Sequence, residues 1–298
     1  MTQSILIAVL VLALTGALFS VVLYFVAQKF KVEENPLIDE IVEVLPGANC
    51  GGCGRAGCRS LAEAFAKQGN MEGLKCPAGG DAVAQKVAAI LGCVSEAAEP
   101  QVAVVRCHPC HVGDKALSRY DGLQDCSFAH SLFTGTNGCA FGCLGLGSCF
   151  NACQFGAITM DPDKHTPSVD EDRCTACGAC VKACPRGVIE LRNKGRQNRR
   201  VFVGCINKEK GAIARKTCDN ACIGCGKCEK VCPFDAVHVV NNVAYIDFAK
   251  CKACRKCVTE CPTHAITDVN FPALAKKPDP KPTETPATVQ HQKGTAES

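Results

Sequence analysis

CTACGACVKACP at residues 174–185, CIGCGKCEKVCP at 222–233 and CKACRKCVTECP at 251–262 are the stretches that decide the fold. Each spells Cys-x-x-Cys-x-x-Cys-x-x-x-Cys-Pro, in which the first three cysteines bind one [4Fe–4S] cluster and the fourth binds its neighbour. Cysteines at this spacing reach a cluster from several directions, whereas a zinc site takes its four ligands as two pairs. The runs therefore predict an electron-transfer protein rather than one stabilised by zinc or disulfides.

The composition supports this interpretation. The 298 residues include 26 cysteines, no tryptophan and only 5% aromatic residues, so that cofactors are expected to replace much of the usual core packing. Secreted chains rich in disulfides are usually short, and cluster ligands must be free thiolates, which favours a reducing compartment. The net charge of +4 comes without a long basic run interleaved with aromatic residues. We therefore expect no nucleic-acid partner.

Residues 5–26 (ILIAVLVLALTGALFSVVLYFV) contain no charge and predict a membrane anchor over residues 1–28. As a helix this stretch is about 33 Å long, enough to cross a bilayer core. A cleaved signal peptide is the alternative, but its apolar region is shorter and follows positive charge. Here Lys29 and Lys31 follow the apolar stretch instead. Positive-inside logic thus predicts a single-pass anchor in the cytoplasmic (inner) membrane, with the cluster domains on the cytoplasmic side.

A glycine-rich block predicts an amino-terminal cluster domain over residues 32–93. The candidate ligands are Cys50, Cys53, Cys58 and Cys76. Ser60 is expected to cap a helix over 60–67, with Glu63 completing a capping box, so that Cys58 and Cys76 converge. A second helix is expected over 81–92. Four cysteines alone do not choose between zinc and iron, but the dense glycines and the neighbouring cysteine runs favour a [4Fe–4S] cluster.

The second half of the chain contains an internal repeat, residues 126–184 and 205–261. Cys126 precedes Cys139 by the same interval as Cys205 precedes Cys218, which aligns Cys126 with Cys205. Each copy predicts a bacterial-type two-cluster ferredoxin unit of α+β class, over 129–195 and 205–271. In the second copy Asn241-Asn242 predicts a two-residue turn between strands. Residues 94–128 are then a cysteine-containing linker and 272–298 a disordered tail.

Cross-ligation assigns the cysteines of the second unit to two clusters. These sets are Cys222, Cys225, Cys228 with Cys261, and Cys251, Cys254, Cys257 with Cys232. In the first unit one set is Cys174, Cys177, Cys180 with Cys153. The remaining set contains Cys143, Cys149 and Cys184, but Leu146 stands where a fourth cysteine is expected. Cys139 is predicted to complete it, a three-iron cluster or an empty site being the alternative.

The unassigned cysteines are Cys93, Cys107, Cys110, Cys126, Cys205 and Cys218. Residues 107–111 spell the Cys-x-x-Cys-His haem attachment motif, but covalent haem attachment takes place outside the cytoplasm. A sixth cluster involving Cys107, Cys110 and Cys126 is one hypothesis, and ordinary buried thiols are the other. Two basic segments, 192–200 and 208–216, form a candidate docking patch for an acidic protein such as ferredoxin.

Taken together, the apolar start, the block NCGGCGRAGC…CP at 49–77 and the ferredoxin repeats resemble the B subunit of the Rnf complex, an ion-translocating ferredoxin:NAD⁺ oxidoreductase. The resemblance implies about five [4Fe–4S] clusters that take electrons from soluble reduced ferredoxin. The electrons then go to the other membrane subunits, and the complex moves Na⁺ or H⁺. It implies no direct NAD binding by this chain, in which no glycine-rich phosphate loop or catalytic constellation is found.

Two alternative functions remain open at this point. One is an electron-feeding subunit of another membrane redox enzyme, such as a hydrogenase or a corrinoid-protein reductant, because glycine-rich cysteine blocks occur there too. The other belongs to a different class, a zinc-structured or metal-storage scaffold.

Overall fold

The computed structural model describes residues 2–29, 35–94, 99–108, 117–118, 120–136 and 138–272. Cys110, a candidate ligand of the hypothetical sixth cluster, lies outside the described residues, as does the predicted tail from residue 273 onward.

Helix α1, Thr2–Lys29, is the predicted apolar helix. Its stretch Ile5–Lys29 has a mean hydropathy of 2.8, and none of that stretch is buried against the rest of the protein. With 28 residues the helix is about 42 Å long. Length and composition therefore suit a membrane span, as they also suit a signal sequence at this end of a chain.

The amino-terminal domain is a three-helix unit. Its helices are α2, Pro36–Val44, α3, Cys58–Gln68, and α4, Gly80–Leu91. Ile41 of α2, Phe65 of α3 and Val87 of α4 are almost fully buried against one another. Helix α4 stops at Gly92, which adopts the left-handed conformation that glycine tolerates best. These helices form a small core beside the glycine-rich cysteine block.

Two units of the same architecture follow. In unit 1, β1 (Gln101–Val105) pairs antiparallel with β4 (Ile189–Asn193), and β2 (Ile158–Met160) pairs with β3 (Pro167–Val169). Its short helices are α5 (Cys126–His130), α6 (Ser148–Asn151) and α7 (Ala179–Ala183).

Unit 2 repeats this arrangement after a 3₁₀ turn at Arg196–Asn198. Here β5 (Arg200–Val203) pairs with β8 (Ile266–Val269), and β6 (Val237–Val240) pairs with β7 (Val243–Ile246). Its helices are α8 (Gly211–Thr217), α9 (Lys227–Lys230) and α10 (Lys256–Glu260). The predicted turn between β6 and β7 is confirmed, since Asn241 and Asn242 both have positive φ, as a tight hairpin turn requires.

The structure corrects the predicted linker. Strand β1 lies inside residues 94–128 and is the outer strand of unit 1, so this part of the segment is not a linker. The backbone N–H of Arg106 donates to Val188 at 2.7 Å, and in unit 2 that of Gly204 donates to Ala265 at 2.8 Å. These equivalent bonds align Cys107, rather than the predicted Cys126, with Cys205.

The two units pack against each other through a buried interface. Val102 and Val104 of β1 contact Phe202 of β5. Arg192 of β4, only 1% exposed, donates from Nη1 to the carbonyl of Ile246 at 2.9 Å and lies over the ring of Tyr245. A buried guanidinium needs such partners, because a charge left without them inside a protein is costly.

The predicted docking patch at 192–200 therefore needs correction. Both of its ends are buried: Arg192 pairs with Glu190, and Arg200 pairs with Glu171. These arginines hold the units together and are not available to a docking protein.

Candidate metal centres

In unit 2 the structure gathers each predicted cysteine set around its own cavity. Site 3, a cavity of about 20 Å³, is lined by Cys222, Cys225, Cys228 and Cys261. Site 4, of about 10 Å³, is lined by Cys232, Cys251, Cys254 and Cys257. The cysteines come from both runs of the unit, which is the arrangement that cross-ligation of two clusters requires.

Backbone N–H groups point at the sulfurs of these sites. Ala244 donates to Sγ of Cys222 at 3.4 Å, and Ala265 donates to Sγ of Cys261 at 3.3 Å. Such hydrogen bonds stabilise negative charge on sulfur, and they are one of the means by which a protein sets the potential of an iron–sulfur cluster. The donor set and its surroundings fit a thiolate-bound cluster.

The inner cysteines of unit 2 also show that sites 3 and 4 are neighbours. Burial raises the pKa of Cys228 to about 11 and that of Cys257 to about 12. Nearby thiolates contribute to both raised values, and Cys228 is among those acting on Cys257. Without metal these thiols hold their protons, so binding a metal there must release them.

Site 1 in unit 1 matches its prediction in the same way. Cys153, Cys174, Cys177 and Cys180 line a cavity of about 20 Å³. The N–H of Ala157 donates to Sγ of Cys153 at 3.4 Å, and that of Ala236 donates to Cys232 of unit 2 at the same distance. The equivalent bonds show that the repeat extends to the surroundings of the ligands.

Site 2, the irregular set, differs from its prediction. Burial is the largest cause that raises the pKa of Cys143 to about 11 and that of Cys149 to about 12, and the thiolates of Cys126 and Cys184 contribute to both. The structure therefore places Cys126 beside Cys143, Cys149 and Cys184.

The local sequence explains how Cys126 reaches site 2. Asp125 caps α5 by accepting from the N–H groups of Ser127 and Phe128, and it also accepts from Oγ of Ser148 at 3.2 Å. The N–H of Cys126 donates to the same Ser148 Oγ at 2.7 Å, which ties α5 to the start of α6. The sequence carries a signal for this contact, an N-cap Asp directly before an unassigned cysteine.

The other unassigned cysteines meet between the units. Cys107, Cys139, Cys205 and Cys218 line a cavity of about 80 Å³, which Cys143 of site 2 also borders. We call these four the inter-unit set. Of the hypothetical sixth set, Cys107 lines this cavity and Cys126 lies in site 2, while Cys110 falls outside the described residues.

The amino-terminal site is formed by the four predicted cysteines. Burial raises the pKa of Cys76, and the charges of Cys58, Cys50 and Cys53 raise it further, which places all four together. The predicted cap is wrong: α3 begins at Cys58 with Ser60 inside the helix. The side chain of Asn49 accepts from the N–H of Cys58 at 2.8 Å and caps the helix from nine residues upstream.

No group of three or more His, Cys, Asp or Glu side chains surrounds a single metal ion in the part of the chain that the structure describes. A cubane does not require such a group, since each of its four irons takes one cysteine and the sulfurs surround a larger body. The described cysteines are also free of disulfides.

The amino-terminal domain contacts unit 1 beside site 1. Nζ of Lys182 donates to the carbonyl of Gly51 at 3.3 Å. A Cβ on Gly52 would lie 2.5 Å from the carbonyl oxygen of Cys177, so glycine is needed for this close approach. The amino-terminal site thus adjoins site 1.

Comparison with known families identifies the same regions. Residues 138–188 and 173–236 match one family of 4Fe-4S dicluster domains, and residues 213–274 match a second. Residues 45–77, around the amino-terminal site, match an Fe-S cluster family. The matches confirm the α+β fold class of an iron–sulfur protein with tandem ferredoxin units.

Three similar proteins, each the B subunit of its complex, cover most of the chain. The B subunit of the Na(+)-translocating ferredoxin:NAD(+) oxidoreductase complex of Acetobacterium woodii is 42% identical to this chain, and the similarity covers 85% of this chain and 74% of the relative. That of the ion-translocating oxidoreductase complex of Methanosarcina acetivorans is 42% identical, over 83% and 91%. That of the proton-translocating ferredoxin:NAD(+) oxidoreductase complex of Clostridium ljungdahlii is 41% identical, over 84% and 86%.

Proposed function

The chain belongs to the family of B subunits of ion-translocating (Rnf) oxidoreductase complexes, and we propose that it carries electrons from reduced ferredoxin to membrane-embedded partner subunits. Onward transfer to NAD⁺ on another subunit then drives movement of Na⁺ or H⁺. The family resemblance read from the sequence is confirmed, and the chain is an iron–sulfur electron-relay subunit of such a complex. The relatives' names favour this function over a hydrogenase or corrinoid-protein subunit.

The observation that carries the proposal is the series of four-cysteine sets that adjoin one another. Gly52 of the amino-terminal site lies against Cys177 of site 1. Burial is the largest cause that raises the pKa of Cys180 in site 1, and the thiolate of Cys149 in site 2 also contributes. In unit 2 site 3 adjoins site 4 through Cys228 and Cys257. Sites in series suit electron transfer over a distance.

The proposed ligands follow from this geometry. The four cysteines of each site would hold one cluster, with Cys126 in place of Cys139 at site 2. A bound [4Fe–4S] cluster accepts and releases single electrons without making or breaking substrate bonds. The protein's part is to supply thiolates, to donate N–H groups to them and to shield them from water.

The ends of the series suggest its direction. Residues 30–35 alone join α1 to α2, so the amino-terminal site lies in the domain next to the proposed anchor. At site 4 Cys254 is exposed, and the exposed Lys252 and Lys256 flank it. A positive surface beside an accessible cluster suits an acidic donor such as ferredoxin. We infer that electrons enter at site 4 and leave near the membrane.

The proposed orientation of the chain in the membrane follows the positive-inside rule. Lys29 and Lys31 follow the apolar stretch, which places the cluster domains on the cytoplasmic side, where ferredoxin is found. The exposed apolar surface of α1 is then available to lipid and to partner subunits.

Anaerobic mixing of the full chain in detergent with reduced ferredoxin tests this function. We expect the visible absorbance of the clusters to bleach as ferredoxin is oxidised, while added NAD⁺ stays unreduced. NADH formation by this chain alone, or clusters that ferredoxin does not reduce, would refute the proposed division of labour.

A further inference from the structure

We propose that the inter-unit set, Cys107, Cys139, Cys205 and Cys218, binds a further [4Fe–4S] cluster between the two ferredoxin units. The proposal rests on the proposed function in one respect, that this chain carries cubane clusters. It is separate from the ligand runs, because none of the four cysteines belongs to a completed Cys-x-x-Cys-x-x-Cys motif.

The repeat supplies these cysteines as two equivalent pairs. Cys107 lies two residues after the end of β1 in unit 1, and Cys205 lies two residues after the end of β5 in unit 2. Cys139 lies four residues before Cys143, as Cys218 lies four before Cys222. Each unit therefore contributes the same two thiols to the cavity between them.

Equivalent hydrogen bonds surround the first member of each pair. The N–H of Cys143 donates to Sγ of Cys107 at 3.3 Å. In unit 2 the N–H groups of Cys222 and Asn207 donate to Sγ of Cys205, the latter at 3.5 Å. These are the N–H to sulfur contacts that sites 1, 3 and 4 also make, and they stabilise a metal-bound thiolate.

The thiols of the two units face one another. Cys107 and Cys139 of unit 1 line the same cavity as Cys205 and Cys218 of unit 2. The sulfurs of Cys139 and Cys107 lie 3.4 and 3.7 Å from the point that a Cβ on Gly142 would occupy. They open onto one space, which a larger residue at position 142 would crowd.

Buried polar groups hold this arrangement in place. Asn207 of unit 2 is 2% exposed, and its Nδ2 lies 3.6 Å from Sγ of Cys139 in unit 1. Nη1 of Arg186 donates to the carbonyls of Cys139 at 3.0 Å and Gly142 at 2.8 Å. The loop that carries Cys139 is thus fixed toward the other unit.

The cavity between the units has room for a cluster. It measures about 80 Å³, against 10 to 20 Å³ at the cavities lined by the motif cysteines. The described His, Cys, Asp and Glu side chains include no group around one ion, as a tetrahedral zinc site would require. Four cysteines spread around a roomy cavity suit a cubane.

The position of this cluster would complete the electron path. Cys107 accepts a hydrogen bond from Cys143 of site 2, and Cys205 accepts one from Cys222 of site 3. The inter-unit set therefore lies between the clusters of unit 1 and those of unit 2. With it, six sites adjoin in one series from site 4 to the amino-terminal domain.

Iron and sulfide analysis of full-length variants, purified anaerobically, tests the proposal. The parent chain should hold about 24 irons and 24 sulfides. Both pair variants, Cys107→Ala/Cys205→Ala and Cys139→Ala/Cys218→Ala, should lose the same amount, about four irons, because all four cysteines hold one cluster. Replacing all four should again remove only about four. Cys93→Ala, outside every site, is the matched control and should lose none.

A parent chain with about 20 irons, or pair variants that retain all their iron, would overturn this inference and leave the other five clusters standing. Mostly zinc with little sulfide in the parent chain would instead overturn the proposed function with it. Electron paramagnetic resonance of the reduced variants should show the remaining clusters unchanged, which separates loss of one cluster from misfolding. If the pair variants lose all their paramagnetic resonance signals and the parent chain holds only about 20 irons, the result counts against the proposal.

Discussion

Arg255 occupies a position at which the equivalent cysteine runs carry glycine. Its φ is +66°, close to the +70° of Gly226 and the +77° of Gly178 in the same place before a short helix. A side chain in this left-handed region costs about 1 kcal/mol or more. Arg255 is held there by Asp268 at 2.5 Å and by the ring of Phe271 at 4.8 Å. Tertiary contacts thus offset an unfavourable backbone conformation beside site 4.

This balance predicts an order of stability for two variants. Arg255→Ala loses the ion pair and keeps the strain, whereas Arg255→Gly loses the ion pair and relieves the strain. We expect the glycine variant to be more stable than the alanine variant by about 1 kcal/mol. Anaerobic thermal unfolding measures the difference, with the exposed Lys256→Ala as a neutral control. Equal midpoints for the two variants would show that the backbone is unstrained.

The identity of the fourth ligand at site 2 gives a second prediction at this scale. Cys126→Ala and Cys126→Ala/Cys149→Ala should lose the same iron, about four per chain, because both residues hold one cluster. Cys139→Ala/Cys149→Ala should lose about eight, since Cys139 serves the inter-unit set. Iron analysis of these variants decides whether Cys126 or Cys139 is the fourth ligand of site 2. If Cys126→Ala alone loses no iron and the Cys139 double variant loses only about four, Cys139 is the fourth ligand of site 2, as the residue spacing predicts.

Residue patterns predicted most of the candidate ligands, because the cysteine runs are local and regular. Cys126 was assigned to a possible sixth cluster and not to site 2, because Cys143 lies seventeen residues on and no fixed spacing joins them. The capping Asp125 and its contact with Ser148 bring them together, and such a contact is set by tertiary structure. The sequence also does not show that Cys107, Cys139, Cys205 and Cys218 line one cavity, because the packing of the two units brings them together.

At the scale of elements, α3 depends on a cap supplied from the cluster-binding loop. Asn49 accepts from the N–H of Cys58, the first residue of the helix, and has a φ of +47°, which asparagine tolerates well. Asn49→Ala should destabilise the amino-terminal domain by about 1 kcal/mol and make its cluster more labile.

Loss of iron under mild denaturant measures this effect on the full chain. Asn49→Asp is the matched variant, because its carboxylate keeps the acceptor, and it should lose iron more slowly than Asn49→Ala. Equal rates for both variants would show that the cap does not matter to the site.

Individual helices and strands also show which parts of the fold can be predicted from the sequence and which cannot. The hairpin of β6 and β7 was predictable from Asn241-Asn242 because its strands are adjacent in sequence. Strand β1 was assigned to a linker, since its partner β4 lies more than eighty residues away and a single strand of five residues carries no sign of its partner. The helix over 60–67 was predicted correctly, but its start was not, because Asn49 rather than Ser60 caps it.

On the scale of the whole molecule, the buried interface between units 1 and 2 changes the surface on which ferredoxin is expected to dock. Arg192 and Arg200 are buried, whereas Lys252 and Lys256 beside site 4 are exposed, so we expect ferredoxin to dock near site 4. Lys252→Gln/Lys256→Gln should slow reduction by ferredoxin several-fold at low ionic strength, with the difference fading as salt screens the charges.

The other basic segment provides the matched control. Lys210→Gln/Lys216→Gln removes the same charge at exposed positions of segment 208–216. Stopped-flow mixing with reduced ferredoxin should show a near-normal rate for this variant. A larger effect there than at site 4 would place the docking surface on segment 208–216, as the sequence suggested.

The central claim is that this chain is a series of iron–sulfur clusters, and metal analysis of the anaerobically purified full chain tests it most directly. The account predicts about 24 irons, a matching amount of acid-labile sulfide and little zinc per chain. Mostly zinc with little sulfide would contradict it, because a chain in that form has no group that can carry an electron.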